Sequence, residues 1–335
     1  MVFASVVHAR KGQPFAYSFL RTFTMTGTLR HLLVATDGSA SANRAVSFAI
    51  TLARRDGGEL LICSVVDHAV SIVLPLIQSL DDAAYAILAE AATRATDAGV
   101  AATTELLDGR PAHAIVKLAR ERSVDAIVLG TRGKRGLDRV LMGSTADGVL
   151  RRSNLPTFVV PPGMGDAEPT FARILVAIDD SDPSDAGAAF ARDFAKAQSA
   201  LLLYCGVAET GDLFDKASTY GYDPTSMLEE LRATTSALVA EHVYLARANQ
   251  IATEIVIADG DPAEQILKFA ISRNVGLIVM GTHGRRGLRR LIVGSVAESV
   301  VRQSTVPVVV VRAARLRVAE TERESALATS AKCYT

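Results

Sequence analysis

Along most of this chain, short apolar runs alternate with stretches whose apolar residues recur at helical spacing. The run at 31–36 (HLLVAT) ends at Asp37 and reads as a strand buried on both faces. A helix over Ser41–Arg55 follows, opened by a serine able to cap it. Leu60–Val66 is a second strand, Asp81–Asp97 a helix closed by Gly99, and Val100–Leu107 a third strand. Pro111–Arg122 carries its proline at the helix start, and Asp125–Gly130 is a fourth strand. Ser144–Arg152 is a helix and Pro156–Val160 the last strand of the series. Strict alternation of strand and helix predicts an α/β fold, a parallel sheet with helices on both faces.

The series occurs twice. Residues 108–160 and 259–311 align without a gap at an offset of 151, with 27 of 53 positions identical. Upstream, LLVATDGS at 32–39 answers ILVAIDDS at 174–181 at an offset of 142, so nine residues are inserted in the second half. The polar stretch Glu209–Thr225 is their expected place. The organisation predicted is two tandem doubly wound domains, 29–161 and 171–312, each with a five-stranded parallel sheet of order 3-2-1-4-5. Residues 162–170 lie in a Pro/Gly-containing joint (PPGMGDAEP) and read as the linker. Residues 1–28 read as a disordered leader or, given Met25, an upstream start; a targeting peptide is the alternative, and 313–335 form a polar tail.

Composition narrows the function. Of 335 residues, 49% are apolar and 21% charged, and 36 basic residues balance 36 acidic ones. A neutral chain has no global field for nucleic acid or an acidic membrane surface. Three scattered cysteines (Cys63, Cys205, Cys333) make neither a disulfide framework nor a metal cluster, which fits a reducing cytoplasm. No apolar run reaches the roughly 18 residues of a membrane span, and Ala69–Ile77 is broken by Pro75. The run VPVVVV at 306–311 would be a hazardous bare edge. Pairing it with TFVV at 157–160 answers that hazard and predicts an internal pseudo-dimer through the last strands.

Candidate chemistry sits in a motif present twice, G-x2-G-x9-G-S: Gly130, Gly133, Gly143, Ser144 and Gly281, Gly284, Gly294, Ser295. Two glycines after a strand let backbone approach a ligand, and the third glycine and serine offer free amides at a helix N-terminus, where the dipole favours an anion. The spacer is cationic, with Lys134, Arg135 and Arg139 in one half and Arg285, Arg286, Arg289 and Arg290 in the other. Together these describe a phosphate cradle, and neither the P-loop nor the dinucleotide fingerprint is present. Asp37 and Asp179 end strand one, which neighbours strand four at the switch point where ligands bind; there they face a ribose, a base or a hydrated Mg²⁺. Taken singly, the same glycines are turn residues, the aspartates helix caps and the arginines a solvated face. His31, His68, His113 and His242 share no ligand spacing and read as structural or surface residues, and Cys63 and Cys205 as small buried apolar residues.

V-A-x-D-x-S at strand one, G-x2-G-x9-G-S after strand four and a closing P-x-x-V-V strand resemble the universal stress protein family, in tandem form, over 29–161 and 171–312. The resemblance implies its ATP-binding branch and dimerisation through the last strand, which in a tandem chain can pair the two halves with each other; a further homodimer is left open. Carried over, the adenosine contacts fall on Ala35, Thr36, Asp37 and Val65. The phosphate and ribose contacts fall on Leu129, Gly130, Arg132, Gly133, Gly143, Ser144, Thr145 and Ala146. Their second-half counterparts are Ala177, Ile178, Asp179, Gly206, Met280, Gly281, His283, Gly284, Gly294, Ser295, Val296 and Ala297. Three departures stand out. Gly206 takes the place of Val65, which removes an apolar wall; Ala146 and Ala297 replace a hydroxyl; and Arg132 replaces a histidine that His283 keeps.

The resulting expectation is an ATP-binding regulatory protein, with Mg²⁺ aiding and an unidentified protein as partner. No nucleophile–base set or acid–base carboxylate pair is legible, so no catalytic residue is assigned. Slow ATP hydrolysis, a phosphoryl or adenylyl transferase, and a nucleotide-free scaffold are the alternatives. A phosphoacceptor receiver is disfavoured, because Pro161 and Arg312 stand where it needs a lysine.

Overall fold

Every strand but one pair lies parallel to its neighbours, as the alternating pattern requires. A computed structural model describes residues 28–68, 74–131, 142–163, 169–211, 223–282 and 293–313. The first half runs β1 (His31–Ala35), α1 (Ala40–Asp56), β2 (Glu59–Val66), α2 (Leu74–Asp97), β3 (Ala102–Asp108), α3 (Pro111–Glu121), β4 (Ala126–Gly130), α4 (Ser144–Arg152) and β5 (Thr157–Val160). The second runs β6 (Arg173–Ile178), α5 (Asp182–Gln198), β7 (Leu201–Ala208), α6 (Pro224–Ala248), β8 (Thr253–Asp259), α7 (Pro262–Ser272), β9 (Leu277–Gly281), α8 (Ser295–Gln303) and β10 (Val308–Val311).

Local chemistry sets the boundaries. Ser39 Oγ accepts from the Ala42 amide at 3.2 Å and opens α1, and Gly57, at φ +63°, closes it in the left-handed region. Helix α2 begins at Leu74, not at Asp81, because Pro75 lies in the first turn, where a missing N–H has no helical acceptor to lose. Strand β3 starts at Ala102 instead of Val100, whose amide still donates to Ala95 O at the end of α2. Residues 209–223 separate β7 from α6, against 67–73 between β2 and α2, so the second half's extra length falls chiefly there.

The strand order is β3-β2-β1-β4-β5-β10-β9-β6-β7-β8, two copies of 3-2-1-4-5 joined at their fifth strands. That junction is antiparallel, with Val309 opposite Phe158. It relates the halves by a half-turn in the plane of the sheet, so the carboxyl ends of the two sets of strands point in opposite directions along the strands. Helices α1, α2, α5 and α6 share one face and a single core. At its centre Phe158 of β5 lies 5.5 Å from Phe48 of α1 and 6.1 and 6.2 Å from Phe190 and Phe194 of α5, centroid to centroid. On the other face α3 and α4 cover the first half, and α7 and α8 the second. Arg312 ties the halves further: its Nη2 donates to Leu150 O and Arg151 O, which end α4. No described helix is long and apolar enough to cross a membrane.

Candidate functional site

In each half the chain leaves strand one for one face of the sheet and strand four for the other, which opens a crevice at the strands' carboxyl ends. In the first half Val34 pairs with Val128, so Thr36 and Gly130 end side by side. The Thr36 amide donates to Cys63 O at 2.9 Å, and its Oγ1 accepts from the Gly38 amide at 3.2 Å. Asp37 Oδ1 accepts from the Ser39 amide at 3.0 Å, so this carboxylate shapes the turn while Ser39 caps the helix. In the second half Ser181 Oγ donates to Asp179 Oδ1 at 2.5 Å, and the Asp179 amide donates to Ser184 Oγ at 3.0 Å. Both aspartates are placed at the switch point, each with a carboxylate oxygen spent on its own turn.

The first glycine of each motif has a different reason from the one expected. A Cβ on Gly130 would stand 2.6–2.7 Å from Ser41 Oγ and backbone, and one on Gly281 would stand 2.6 Å from Pro183 C. These glycines admit the first turn of α1 and of α5 against strand four, so close packing of helix on strand requires them. The third glycine also differs. The Gly143 amide is not free: it donates to Thr131 O at 2.7 Å, as the Gly294 amide donates to Thr282 O at 2.6 Å. Thr131 in turn donates to Val160 O and Thr282 to Val311 O. The threonines therefore fasten each helix start to the end of its sheet, a role the identical G-T pairs of the repeat could have signalled.

Among the described residues, the next turn is the part with no such tie. Gly143 and Gly294 are N-caps without a side chain, and no hydrogen bond between described residues engages the amides of Ser144, Thr145 and Ala146 or of Ser295, Val296 and Ala297. Both serines are exposed. The side chains of Ala146 and Ala297 are buried in the core, so these positions offer an amide, and a hydroxyl there would point inward. Leu129 and Met280 are buried on the same face. Asp147 lies at the end of the first turn of α4, where a carboxylate would oppose an anion. Arg151 Nε holds both its oxygens at 2.8 Å, a pairing that raises the guanidinium's pKa.

An apolar wall borders the crevice. Ala35, Val65, Leu107 and Met142 lie half-buried against the first-half core, and Ala177, Val207 and Val296 do so in the second. The strand register corrects one correspondence. Ala35 pairs with Cys63 and Ala177 with Cys205, so Val207 is the counterpart of Val65, and Gly206 that of Ser64. Gly206 faces α6, where a Cβ would stand 2.6 Å from Thr235 Cγ2 and 2.8 Å from Val239 Cγ2. It is thus off the site, and the apolar wall is kept. Ile178 likewise packs into the α5 core. Arg132, Gly133, His283 and Gly284, with the cationic spacer residues, lie outside the described residues.

At the rim of the first crevice, past the end of β2, His68 bridges two elements. Its Nε2 lies 2.8 Å from Asp81 Oδ1 of α2 and its Nδ1 3.1 Å from Asp108 Oδ1, which ends β3. The hydrogen bond to Asp81, then the charges of Asp81, Asp108 and Asp67, raise its pKa against the opposing effect of desolvation. In the second half Arg232 of α6 forks onto Asp259, and the pairing lowers that carboxyl's pKa. Burial pushes the Cys63 and Cys205 thiols up to about 12, which keeps them protonated and poor nucleophiles. Among the described residues no group of three or more His, Cys, Asp or Glu side chains could hold a metal ion.

Comparison with known proteins fits this geometry. The model of the universal stress protein family matches residues 28–161 and 170–312. A universal stress protein of Methanocaldococcus jannaschii is 33% identical over 138 residues, covering 39% of this chain and 81% of its own length. One of Mycobacterium tuberculosis is 28% identical over 219 residues, covering 64% of this chain and 70% of its own. In structure, a universal stress protein of Archaeoglobus fulgidus aligns over 86% of this chain and 98% of its own, with a TM-score of 0.65 at 24% identity.

Proposed function

The chain belongs to the universal stress protein family, in tandem form, and from that premise we propose that each half binds ATP at its crevice between strands one and four. Occupancy would set how the protein meets a regulatory partner in the cytoplasm. The observation that carries this reading is the pair of uncapped helix starts, α4 and α8, each fastened to the end of strand four by one hydrogen bond from a glycine amide. Amides held in place with the helix dipole behind them suit a phosphate chain. Ala35, Val65 and Leu107 in the first half, and Ala177 and Val207 in the second, offer the apolar side a base needs, and Asp37 and Asp179 suit a ribose hydroxyl.

Mg²⁺ fits as an ion carried mainly by phosphate and water, because each crevice brings one aspartate from strand one, and Mg²⁺ keeps several waters beside one or two carboxylates. Bound there, it would neutralise phosphate charge, with Asp37 and Asp179 holding it indirectly. The chemistry offered is binding and fixed electrostatics, so turnover is at most slow. The test is calorimetric titration of ATP, with and without Mg²⁺, into the wild type and a Gly133→Leu/Gly284→Leu double variant. One or two sites per chain are expected in the wild type, weakened at least about tenfold in the variant. Equal affinity in both proteins would refute the phosphate cradle.

A further inference from the structure

The two halves close the rim of their crevices with different chemistry at matching positions. Asp108 and Asp259 end the third strands, and Asp81 and Arg232 occupy the same place on α2 and α6, both pairs at the repeat offset of 151. In the second half that arrangement makes a direct ion pair, Arg232 on Asp259. In the first it would set two carboxylates against each other, and His68 stands between them. Both ring nitrogens lie within 3.1 Å of a carboxylate oxygen. A neutral imidazole has a single N–H, so only the imidazolium donates to both. The His68 amide adds a third tie, donating to Asp108 Oδ1 at 3.2 Å. The bridge sits just past Val65, whose neighbour Val66 pairs with Asp108.

We propose that His68 is a pH-dependent positioning residue for the first-half site: as an imidazolium it ties α2 to the end of β3 beside Val65, and the second half, tied by arginine, has no such dependence. Three carboxylates face the ring: Asp81 from α2, Asp108 from β3 and Asp67 from its own segment. They raise its pKa above the usual value of about 6.5. A raised pKa in the folded protein makes the tie complete below the unfolded value and removes it as pH rises through the folded one. The first crevice therefore loosens as pH rises through the His68 midpoint while the second, held by a guanidinium, does not. The role in ligand binding rests on the ATP-binding reading above; the bridge itself does not.

The test follows both separately in the full-length protein. Proton–carbon NMR of the nucleotide-free chain, with His68 assigned by a His68→Gln variant, is expected to give a midpoint above about 6.5. A midpoint at or below that value overturns the bridge. ATP is then titrated at about pH 6 and pH 8.5 into chains carrying Gly284→Leu, with and without His68→Gln. The wild-type His68 chain is expected to bind about two- to fivefold better than the variant at the lower pH and equally at the higher. An affinity ratio that does not change with pH overturns the positioning role even if the midpoint is raised. If ATP binds neither chain, the nucleotide reading has failed for the first half, and amide exchange at the start of α2 decides the proposal instead. Protection that falls through the His68 midpoint in the wild type but not in His68→Gln supports it, and protection indifferent to pH overturns it.

Discussion

At the scale of single residues, the informative contacts are those that backbone makes with backbone. Gly130 and Gly281 look from their spacing like ligand-facing glycines, yet what a side chain there would strike is the first turn of a helix. Backbone cannot move aside as the end of a flexible side chain can. Gly130→Ala and Gly281→Ala are therefore each expected to destabilise the fold by about 1–3 kcal/mol, read as a lower denaturant midpoint at unchanged slope. Gly133→Leu should leave that midpoint nearly unchanged if its role is to admit phosphate. The motif was legible as four residues in a row of spacings. That the first glycine serves packing depends on a helix remote in sequence, at Ser41 or Pro183, and no spacing carries that.

At the scale of elements, periodicity and caps located nearly every strand and helix to within a residue or two. Val65 was a case where counting failed. Taking Gly206 as its counterpart shifts the register by one, and a one-residue shift in a strand moves a side chain to the opposite face. The pairing of Cys205 with Ala177 puts Val207 on the face that Val65 occupies in the first half and Gly206 under α6. The element with the widest reach is β5, whose Phe158 lies between aromatic rings of both halves. Phe158→Ala is expected to cost about 3–5 kcal/mol, and the loss should appear in the unfolding of both halves when followed by residue-resolved amide exchange. A change confined to the first half would mean that the halves are stabilised independently.

At the scale of the molecule, one core runs beneath α1, α2, α5 and α6, and the sheet is continuous through β5 and β10. Two halves so joined should unfold as one unit, with a calorimetric enthalpy close to the van't Hoff value in scanning calorimetry. A van't Hoff enthalpy near half the calorimetric one would instead indicate two domains unfolding in turn. The antiparallel junction also makes the carboxyl ends of the two sets of strands point in opposite directions. If each half binds a ligand as proposed, the shared strands and the aromatic centre are what connect the two sites, because the strand ends that form them point away from each other.

The repeat, its offsets and the alternation of apolar and amphipathic runs determined by themselves that this chain builds two α/β units with a switch point in each. Such patterns are local, and burial on one face or two is written into the residues that must be buried. The structure decided what depends on distant partners meeting. Thr131 and Thr282 became anchors because strand five and the helix start converge on them, and His68 became a bridge because α2 and β3 bring two carboxylates to one imidazole. Nothing in the spacing of His68, Asp81 and Asp108 announces that contact, since it is the packing of α2 against β3 that sets the distance.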